Sequence, residues 1–188
     1  MKKRFVGIMV VLFCFMACAG DAPGPKPPIE LPFAVHQEGA TVSTEVRIVK
    51  KFPYELSIAF PWIVKSEPGS YQFMLTFPFS NNEERDRVEK VIGGSGWNTR
   101  TGNLTDPGVP IQVKVTVRII EPAGERILEE REVTTRGLDA WNPKRLKRRI
   151  GFFKLPPGLY RVTVRNLKGA PEFSNIPVLL CIYNPIIF

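Results

Sequence analysis

The feature of this chain that most constrains its fold is a strict alternation of apolar and polar residues. The clearest example is IQVKVTVRI (111–119), in which five aliphatic side chains alternate with four polar ones. Because successive side chains of a strand point to opposite faces of a sheet, a period of two predicts a strand with one buried face. At about 3.3 Å per residue such a strand is about 30 Å long, enough to cross a small domain.

The same alternation recurs along most of the chain. Further strands are predicted at 42–48, 54–60, 71–79, 126–135, 148–155, 159–167 and 175–183. The stretches EPAGER (121–126) and LPPG (155–158) separate neighbouring strands and have the glycine and proline of tight turns. About eight such strands predict an all-β fold, an antiparallel β-sandwich of immunoglobulin-like or transthyretin-like type.

One segment has a helical pattern instead. Asn81 is a typical N-cap residue, acidic residues follow it in the first turn, and Gly93 stands where the helix would stop. Val88, Val91 and Ile92 form a narrow apolar edge. The pattern predicts one short surface helix between two strands.

The N-terminus has the pattern of an export signal. Lys2, Lys3 and Arg4 precede an apolar run at 5–16, which is shorter than the roughly 20 residues that a membrane-spanning helix needs. The run ends in FMAC (15–18), which resembles the lipobox of bacterial lipoproteins. The resemblance implies that residues 1–17 are a signal peptide and that Cys18 is acylated. Ordinary cleavage after residue 17, which leaves a soluble protein, is the alternative.

Residues 18–32 are rich in proline and poor in side chains that a core could bury. Prolines favour an extended chain of about 3.1 Å per residue, so this stretch is predicted to be a tether between Cys18 and a folded domain at 33–188. The residue directly after Cys18 is Ala19. By resemblance to enterobacterial sorting rules, this residue implies an outer-membrane lipoprotein that faces the periplasm. Two or more acyl chains make such a membrane anchor durable.

Charge and cysteine content agree with this compartment. The formal net charge is +8, and loss of three cations with residues 1–17 leaves 8 − 3 = +5. Nucleic acid is not expected in the periplasm, so the predicted partner is an acidic protein, an anionic lipid surface or the cell wall. With Cys14 removed and Cys18 acylated, Cys181 is left alone, and its apolar neighbours VLLCIY predict a buried, inert thiol.

The sequence offers little for catalysis. Its single histidine, His36, has no triad-like neighbours, and one histidine with one free thiol cannot compose an ordinary zinc site. The glycine-rich stretch at 93–110 has one carboxylate, too few for a calcium loop, and no lysine for a phosphate loop. We therefore expect no enzyme activity, no metal and no cofactor.

Two stretches have the composition of a binding surface. The first, 93–110, is a loop with the candidate binding residues Trp97, Asn98, Arg100, Asn103 and Asp106. The second, 136–153, is basic and contains the candidate binding residues Trp141, Lys144, Arg145, Lys147, Arg148 and Arg149. Arginine beside an aromatic is typical of protein interfaces, and cations also bind anionic lipid. The alternatives are an inter-strand loop with Trp97 packed inward and a solvated, charge-protected strand edge.

The same two stretches carry a resemblance to a known family. GSGWNTRTGNLTDPGVPI (94–111) and KRRIGFFKLPPGLYRVTV (147–164) resemble a family of uncharacterised bacterial lipoproteins with a C-terminal all-β domain of unknown function. The resemblance covers residues 31–183. It implies a single all-β domain on a lipoprotein tether and no established catalytic residues.

Two functions from different classes follow from these features. The first is a lipid-anchored, periplasm-facing protein that binds another protein, such as an immunity protein against a secreted periplasm-acting toxin or lipase. Lipoproteins of this size are associated with that role. The second is an envelope structural or assembly lipoprotein that binds lipid, lipopolysaccharide or peptidoglycan through the basic segment. An enzyme with an unfamiliar site is the least favoured.

Overall fold

The computed structural model describes residues 24–49, 69–94, 97–98, 103–104 and 106–183. Cys18, Arg100 and the strand predicted at 54–60 lie outside these residues. The described elements are, in chain order, β1 (Ile29–Pro32), β2 (Thr41–Ile48), β3 (Ser70–Pro78), α1 (Asn82–Ile92), β4 (Trp97–Asn98), β5 (Asn103–Leu104), β6 (Ile111–Glu121), β7 (Gly124–Thr135), β8 (Ala140–Asn142), β9 (Arg145–Lys154), β10 (Gly158–Asn166), a 3-10 helix (Pro171–Phe173) and β11 (Leu179–Tyr183).

These strands form two principal sheets that pack face to face as a sandwich. One sheet has five strands in the order β1-β11-β3-β9-β8, and the other has four in the order β2-β10-β6-β7. All neighbouring strands within them are antiparallel. A separate two-stranded ladder joins β4 to β5. The predicted antiparallel β-sandwich with one helix is confirmed.

Strand β1 extends the folded domain into the predicted tether. It pairs with β11, from Ile29 opposite Ile182 to Pro32 opposite Leu179. The domain therefore begins before residue 33, the predicted boundary. The physical reason is that pairing with a sheet edge satisfies backbone groups on both strands and covers an edge that would otherwise stay open.

The core lies between the two principal sheets and is filled by the alternating residues of the sequence pattern. On β6, Val113, Val115 and Val117 have no exposed surface. On β3 and β9, the rings of Phe73 and Phe153 stack with their centroids 4.2 Å apart. Each such side chain contributes about 1.5–3 kcal/mol when it is fully buried. Burial of one face of these strands is therefore the main source of stability.

Strand β3 is buried on both faces, whereas its alternation predicts one polar, solvated face. Phe73 belongs to the core, but Met74 belongs to a second apolar cluster with Cys181 and Tyr183. We call the face of the five-stranded sheet that carries this second cluster the outer face. Cys181 is a free thiol and is 2% exposed, so its predicted burial is confirmed.

Helix α1 begins and ends close to the predicted residues. The Asn81 side chain accepts a hydrogen bond of 2.8 Å from the Glu84 amide, and Gly93 closes the helix with a φ of +81°. Val88 and Ile92 are buried in the core. Among the described residues, no helix combines the length and the hydropathy needed to cross a bilayer.

Candidate functional site

The alternation of β9 divides the predicted basic surface between two faces of the sheet. Residues directly opposite each other on antiparallel strands share a face. Lys147 lies opposite Thr76, and Arg145 and Arg149 lie two residues away on either side, so these three cations are on the outer face. Arg148 lies between them and is buried on the core side. The basic candidates therefore do not form one continuous surface.

Arg148 corrects the prediction of a surface binding residue, because its side chain is fully buried. Its guanidinium donates hydrogen bonds to the carbonyl oxygens of Val109, at 2.5 Å, and of Ile92. Ile92 is in the last turn of α1, where backbone carbonyls have no partner within the helix. Desolvation by burial lowers the pKa of Arg148 to about 10. Arg148 therefore connects the C-terminal end of α1 to β9 through hydrogen bonds, and its side chain is not accessible to a partner.

Trp141 and Lys144 lie at the β8 edge of the five-stranded sheet. Trp141 is 63% exposed, the highest fraction among the large hydrophobic side chains of the described residues. It lies opposite Leu146, and the guanidinium carbon of Arg85 in α1 is 5.7 Å from its ring centroid. Lys144 is exposed in the turn between β8 and β9. We call the surface made by Trp141, Arg85 and Lys144 the Trp141 edge.

Arg149 is exposed on the outer face beside an aromatic side chain. Its guanidinium carbon lies 5.1 Å from the ring centroid of Phe152, which is 41% exposed. Its Nη2 also lies 3.7 Å from Oδ1 of Asp139. Exposed ion pairs of this kind contribute about 0–1 kcal/mol to folding. Arg149 therefore stays accessible to an anionic partner at little cost.

A pocket of about 170 Å³ lies on the outer face, where β1, β11, β3 and β9 run side by side. We call it the outer pocket, and its lining includes Glu30, Thr76, Arg145, Lys147, Cys181 and Tyr183. Arg145 forms an ion pair with Glu30, although β11 and β3 separate their strands. Neighbouring strands are about 4.8 Å apart, so the pair bridges about 14 Å of sheet. The ion pair therefore passes over the two central strands.

Burial controls the charge of the groups that line the outer pocket. Lys147 is only 9% exposed, so it is not the solvated surface cation that the sequence predicts, and desolvation lowers its pKa. Desolvation raises the pKa of the Cys181 thiol and of the Tyr183 hydroxyl, so both groups are neutral at pH 7. Thr76 is fully buried, and its Oγ1 forms no hydrogen bond with a described nitrogen or oxygen. Its polar neighbour is the Cys181 sulfur, to which the Thr76 hydroxyl is a donor, an effect that lowers the pKa of the thiol but is smaller than the effect of burial.

Sequence reasoning did not identify Glu30, Thr76 or Tyr183 as site residues. Glu30 falls in the predicted tether, and Thr76 falls on the face of a strand that is predicted to be solvated. A signal for Thr76 is present, however. SYQFMLTFPF (70–79) has no charged residue on either face, which is typical of a strand buried on both sides.

The two predicted binding stretches meet in the structure. The Gly94 carbonyl accepts a hydrogen bond of 3.2 Å from the Leu138 amide. The Asp106 side chain accepts one of 3.2 Å from the Gly108 amide and so closes a turn within the first stretch. In the β4–β5 ladder, Trp97 is opposite Leu104 and Asn98 is opposite Asn103.

Within the described ranges, no three histidine, cysteine, aspartate or glutamate side chains converge as metal ligands would. His36 is half-buried in the turn after β1, away from the outer-pocket lining. The outer face brings together the cations Arg145, Lys147 and Arg149, the carboxylate of Glu30, aromatic rings and neutral hydroxyl and thiol groups. That chemistry suits the binding of an anion.

Fold and site together define an antiparallel β-sandwich with an edge helix and a cationic outer face. The chain belongs to the family described as "Domain of unknown function (DUF5625)", whose model matches residues 30–184. The predicted all-β domain of unknown function is thus confirmed, whereas the lipoprotein character stays a prediction.

One solved structure has a similar fold. It is a crystal structure of a protein from Sulfurospirillum deleyianum, with a TM-score of 0.63 and 19% sequence identity. The match covers 83% of this chain and 96% of that one. At this identity the likeness is one of fold alone. No curated protein matches the sequence.

Proposed function

We propose that this chain is a lipid-anchored, periplasm-facing protein of the bacterial envelope that binds another protein through the Trp141 edge. The observation that carries the proposal is the exposure of Trp141 on a short edge strand, with the Arg85 guanidinium 5.7 Å from its ring. Tryptophan and arginine are the residues most enriched among interface hot spots. A large apolar ring left in water gains much from being covered by a partner.

The charges around Trp141 favour an acidic partner. Lys144 is exposed in the adjacent turn, and the guanidinium carbon of Arg85 lies 5.7 Å from the ring centroid. Cations at the rim of an interface speed association with a negatively charged partner more than they raise its final affinity. The partner surface that fits best therefore has an apolar pocket for the indole ring, surrounded by carboxylates.

The membrane anchor is supported by the N-terminal sequence. A positive segment, a short apolar run and Cys18 follow one another as they do in lipoprotein precursors. Acylation of Cys18 would hold the domain at the outer membrane, where a secreted lipase or toxin reaches its substrate. An immunity protein against such a periplasm-acting enzyme is the specific form of the proposal.

A second candidate function is that of an envelope structural or assembly lipoprotein. Exposed Lys144 and Arg149 favour it, because cations also bind lipid headgroups, lipopolysaccharide phosphates and peptidoglycan carboxylates. The two functions differ in what Trp141 contacts. A protein partner covers the indole ring, whereas a lipid or glycan partner is held by the charges.

Photo-crosslinking in intact cells tests the proposal. Trp141 is replaced by benzoylphenylalanine, and the control is the same replacement at Ile127, which is 51% exposed on the other sheet. We expect a light-dependent protein adduct at position 141 and none at position 127, and Lys144→Glu in the same chain should reduce its yield. A lipid or lipopolysaccharide adduct would favour the second function, and identical adducts at both positions would remove the Trp141 edge as the interface.

The anchor is tested separately with Cys18→Ala. We expect this variant to lose labelling by palmitate and to leave the membrane fraction, since the acyl chains supply the membrane affinity. The Cys181→Ala variant is the control and should label as the natural chain does. Unchanged labelling of Cys18→Ala would contradict lipidation at this residue.

A further inference from the structure

The end of the sandwich from which the chain runs back toward Cys18 also carries exposed aliphatic side chains. We propose that this end docks on the lipid leaflet that holds the acyl chains of the anchor. The inference rests on the proposed function, because it needs an acylated Cys18, and it deepens that function by giving the domain an orientation on the membrane. Three observations support it, namely the path of the chain, the position of the aliphatic side chains and the pairing of the nearby carboxylates.

The chain that precedes β1 lies against the four-stranded sheet where β2 ends and β10 begins. The Arg47 amide donates a hydrogen bond of 2.8 Å to the Pro25 carbonyl, and a β-carbon on Gly24 would lie 3.0 Å from Cδ1 of Leu159. Arg47 and Leu159 lie opposite each other. We call this end of the sandwich the tether end. Gly24 is six residues after Cys18, and a chain spans at most about 3.6 Å per residue, so the tether end lies within about 22 Å of Cys18.

Aliphatic side chains are grouped at the tether end. Val49 directly follows β2, Ile127 and Leu128 lie near the start of β7, and the three are 42%, 51% and 39% exposed. Ile120 and Leu159 are half-buried and lie opposite each other on the face of the four-stranded sheet that points away from the core, which we call its solvent face. Aliphatic side chains exposed singly are ordinary, but a group of them beside a membrane anchor gains from contact with lipid.

The carboxylates next to these aliphatic side chains are held in ion pairs. Glu45 and Glu125 both pair with Arg161, and Glu121 lies 3.7 Å from Arg126. Each pairing offsets the repulsion that a carboxylate would meet at an anionic leaflet. The two arginines place guanidinium groups at the level of the headgroups, where they bind phosphate well. The charges of the tether end are therefore compatible with a phospholipid surface.

Docking at the tether end points the Trp141 edge away from the membrane. Strand β9 begins beside β8, where Arg145 lies opposite Asn142, and it ends at Lys154, before the turn that leads into β10. The 10 residues of β9, at about 3.3 Å each, make a strand of about 30 Å. Trp141 therefore lies about one strand length from the leaflet and faces the periplasm, where a protein partner can reach it.

Fluorescence quenching by lipid tests the inference on the full lipidated chain in vesicles of phosphatidylethanolamine and phosphatidylglycerol. A fluorescent maleimide is attached at Ile127→Cys in a Cys181→Ala background, and the quenchers are lipids with a nitroxide near the headgroup. The control is the same label at Thr134→Cys. Thr134 is exposed near the other end of β7, and it lies opposite Gln112 as Ile127 lies opposite Arg118, so both labels are on the solvent face. Because both labels share one anchor, their difference reports the orientation of the domain.

We expect the label at position 127 to be quenched about threefold more strongly than the label at position 134, because quenching requires contact with the leaflet. Leu128→Asp should reduce the quenching at position 127 to that at position 134, since it places a charge in the docked surface. Leu128→Met is the matched control and should retain the difference. Leu128 is exposed, so neither substitution should alter the fold. Equal or weaker quenching at position 127 overturns the docking, and so does undiminished quenching in Leu128→Asp.

Palmitate labelling of the same chain separates failure of this inference from failure of the anchor. A chain that takes up palmitate at Cys18 but shows equal quenching at the two positions keeps the anchor and loses the orientation. A chain that takes up no palmitate overturns both, since nothing then holds the tether end at a leaflet. In the crosslinking experiment on intact cells, benzoylphenylalanine at position 127 should yield lipid adducts, and a protein adduct there would contradict docking on lipid.

Discussion

At the scale of single residues, Arg148 shows how a charged side chain can be structural in a domain of this size. It is fully buried, and its guanidinium reaches carbonyl oxygens of Val109 and Ile92 and lies 3.5 Å from that of Val91. A planar group with several donors can serve these acceptors together, which a lysine ammonium cannot do with the same geometry. Arg148 therefore supplies hydrogen bonds to the carbonyl groups at the C-terminal end of α1 and connects this helix to β9.

We predict that Arg148→Met lowers the free energy of unfolding by about 2–4 kcal/mol, because buried carbonyls lose a charged donor. Arg149→Met is the matched control one residue away. Its side chain is exposed, so the expected change is below about 0.5 kcal/mol. Urea denaturation of the two variants measures the difference. Equal stability of both would contradict a structural role for Arg148.

At the scale of elements, the backbone at the end of α1 lies in direct contact with the backbone of the turn at 106–109. Gly93 and Gly108 have φ values of +81° and +58°. A methyl group at Gly108 would lie 2.3 Å from the carbonyl carbon of Ile92. Two glycines are required there because only a residue without a β-carbon allows both the dihedral angle and the close approach.

We predict that Gly108→Ala destabilises the domain by about 3 kcal/mol or more, since it combines an unfavourable dihedral angle with a backbone clash. The control is Gly39→Ala. Gly39 has a φ of +76°, and a methyl group there would have its nearest neighbour at 3.9 Å. This variant isolates the dihedral cost, about 1–2 kcal/mol. Similar losses in both variants, measured by denaturation, would show that the helix end does not need the close contact.

At the scale of the whole molecule, buried tyrosines make stability depend on alkaline pH. Desolvation raises the pKa of Tyr71, Tyr160 and Tyr183 above the usual value. Above pH 10 the unfolded chain loses these protons and the folded chain keeps them, so stability falls as pH rises. The Cys181 thiol acts in the same sense, because burial raises its pKa as well. Lys147 and Arg148 act in the opposite sense, because their folded pKa values are below the usual ones. Three tyrosines and one thiol against one lysine and one arginine predict a net loss.

We predict that the tyrosinate absorbance of Tyr71, Tyr160 and Tyr183 appears at alkaline pH together with the loss of β-sheet circular dichroism. Tyr160→Phe should flatten the pH dependence, because each shifted group contributes up to about 1.36 kcal/mol per pH unit. The same variant should be about 1 kcal/mol less stable at pH 7, since the Tyr160 hydroxyl donates a hydrogen bond of 2.7 Å to the Pro156 carbonyl. An unchanged slope would contradict the buried state of this hydroxyl.

Local chemistry was sufficient to predict much of the fold. Alternation in IQVKVTVRI identified β6, the cap residues Asn81 and Gly93 identified the helix, and apolar neighbours identified the buried thiol of Cys181. Each of these features depends on residues that are close in sequence. Period, capping and side-chain burial are properties of a short segment, so they can be read without knowing where the segment lies in the domain.

The arrangement of the site was decided only by the tertiary structure. Alternation predicts that successive side chains of a strand point to opposite faces of the sheet. Which of the two faces is buried depends on the other segments that pack against it. That choice exposed Arg149 and buried Arg148. It also brought Glu30 to Arg145, which lie 115 residues apart in the chain, and so formed the outer pocket. No local pattern contains such a contact, because its energy arises only when two distant strands join the same sheet.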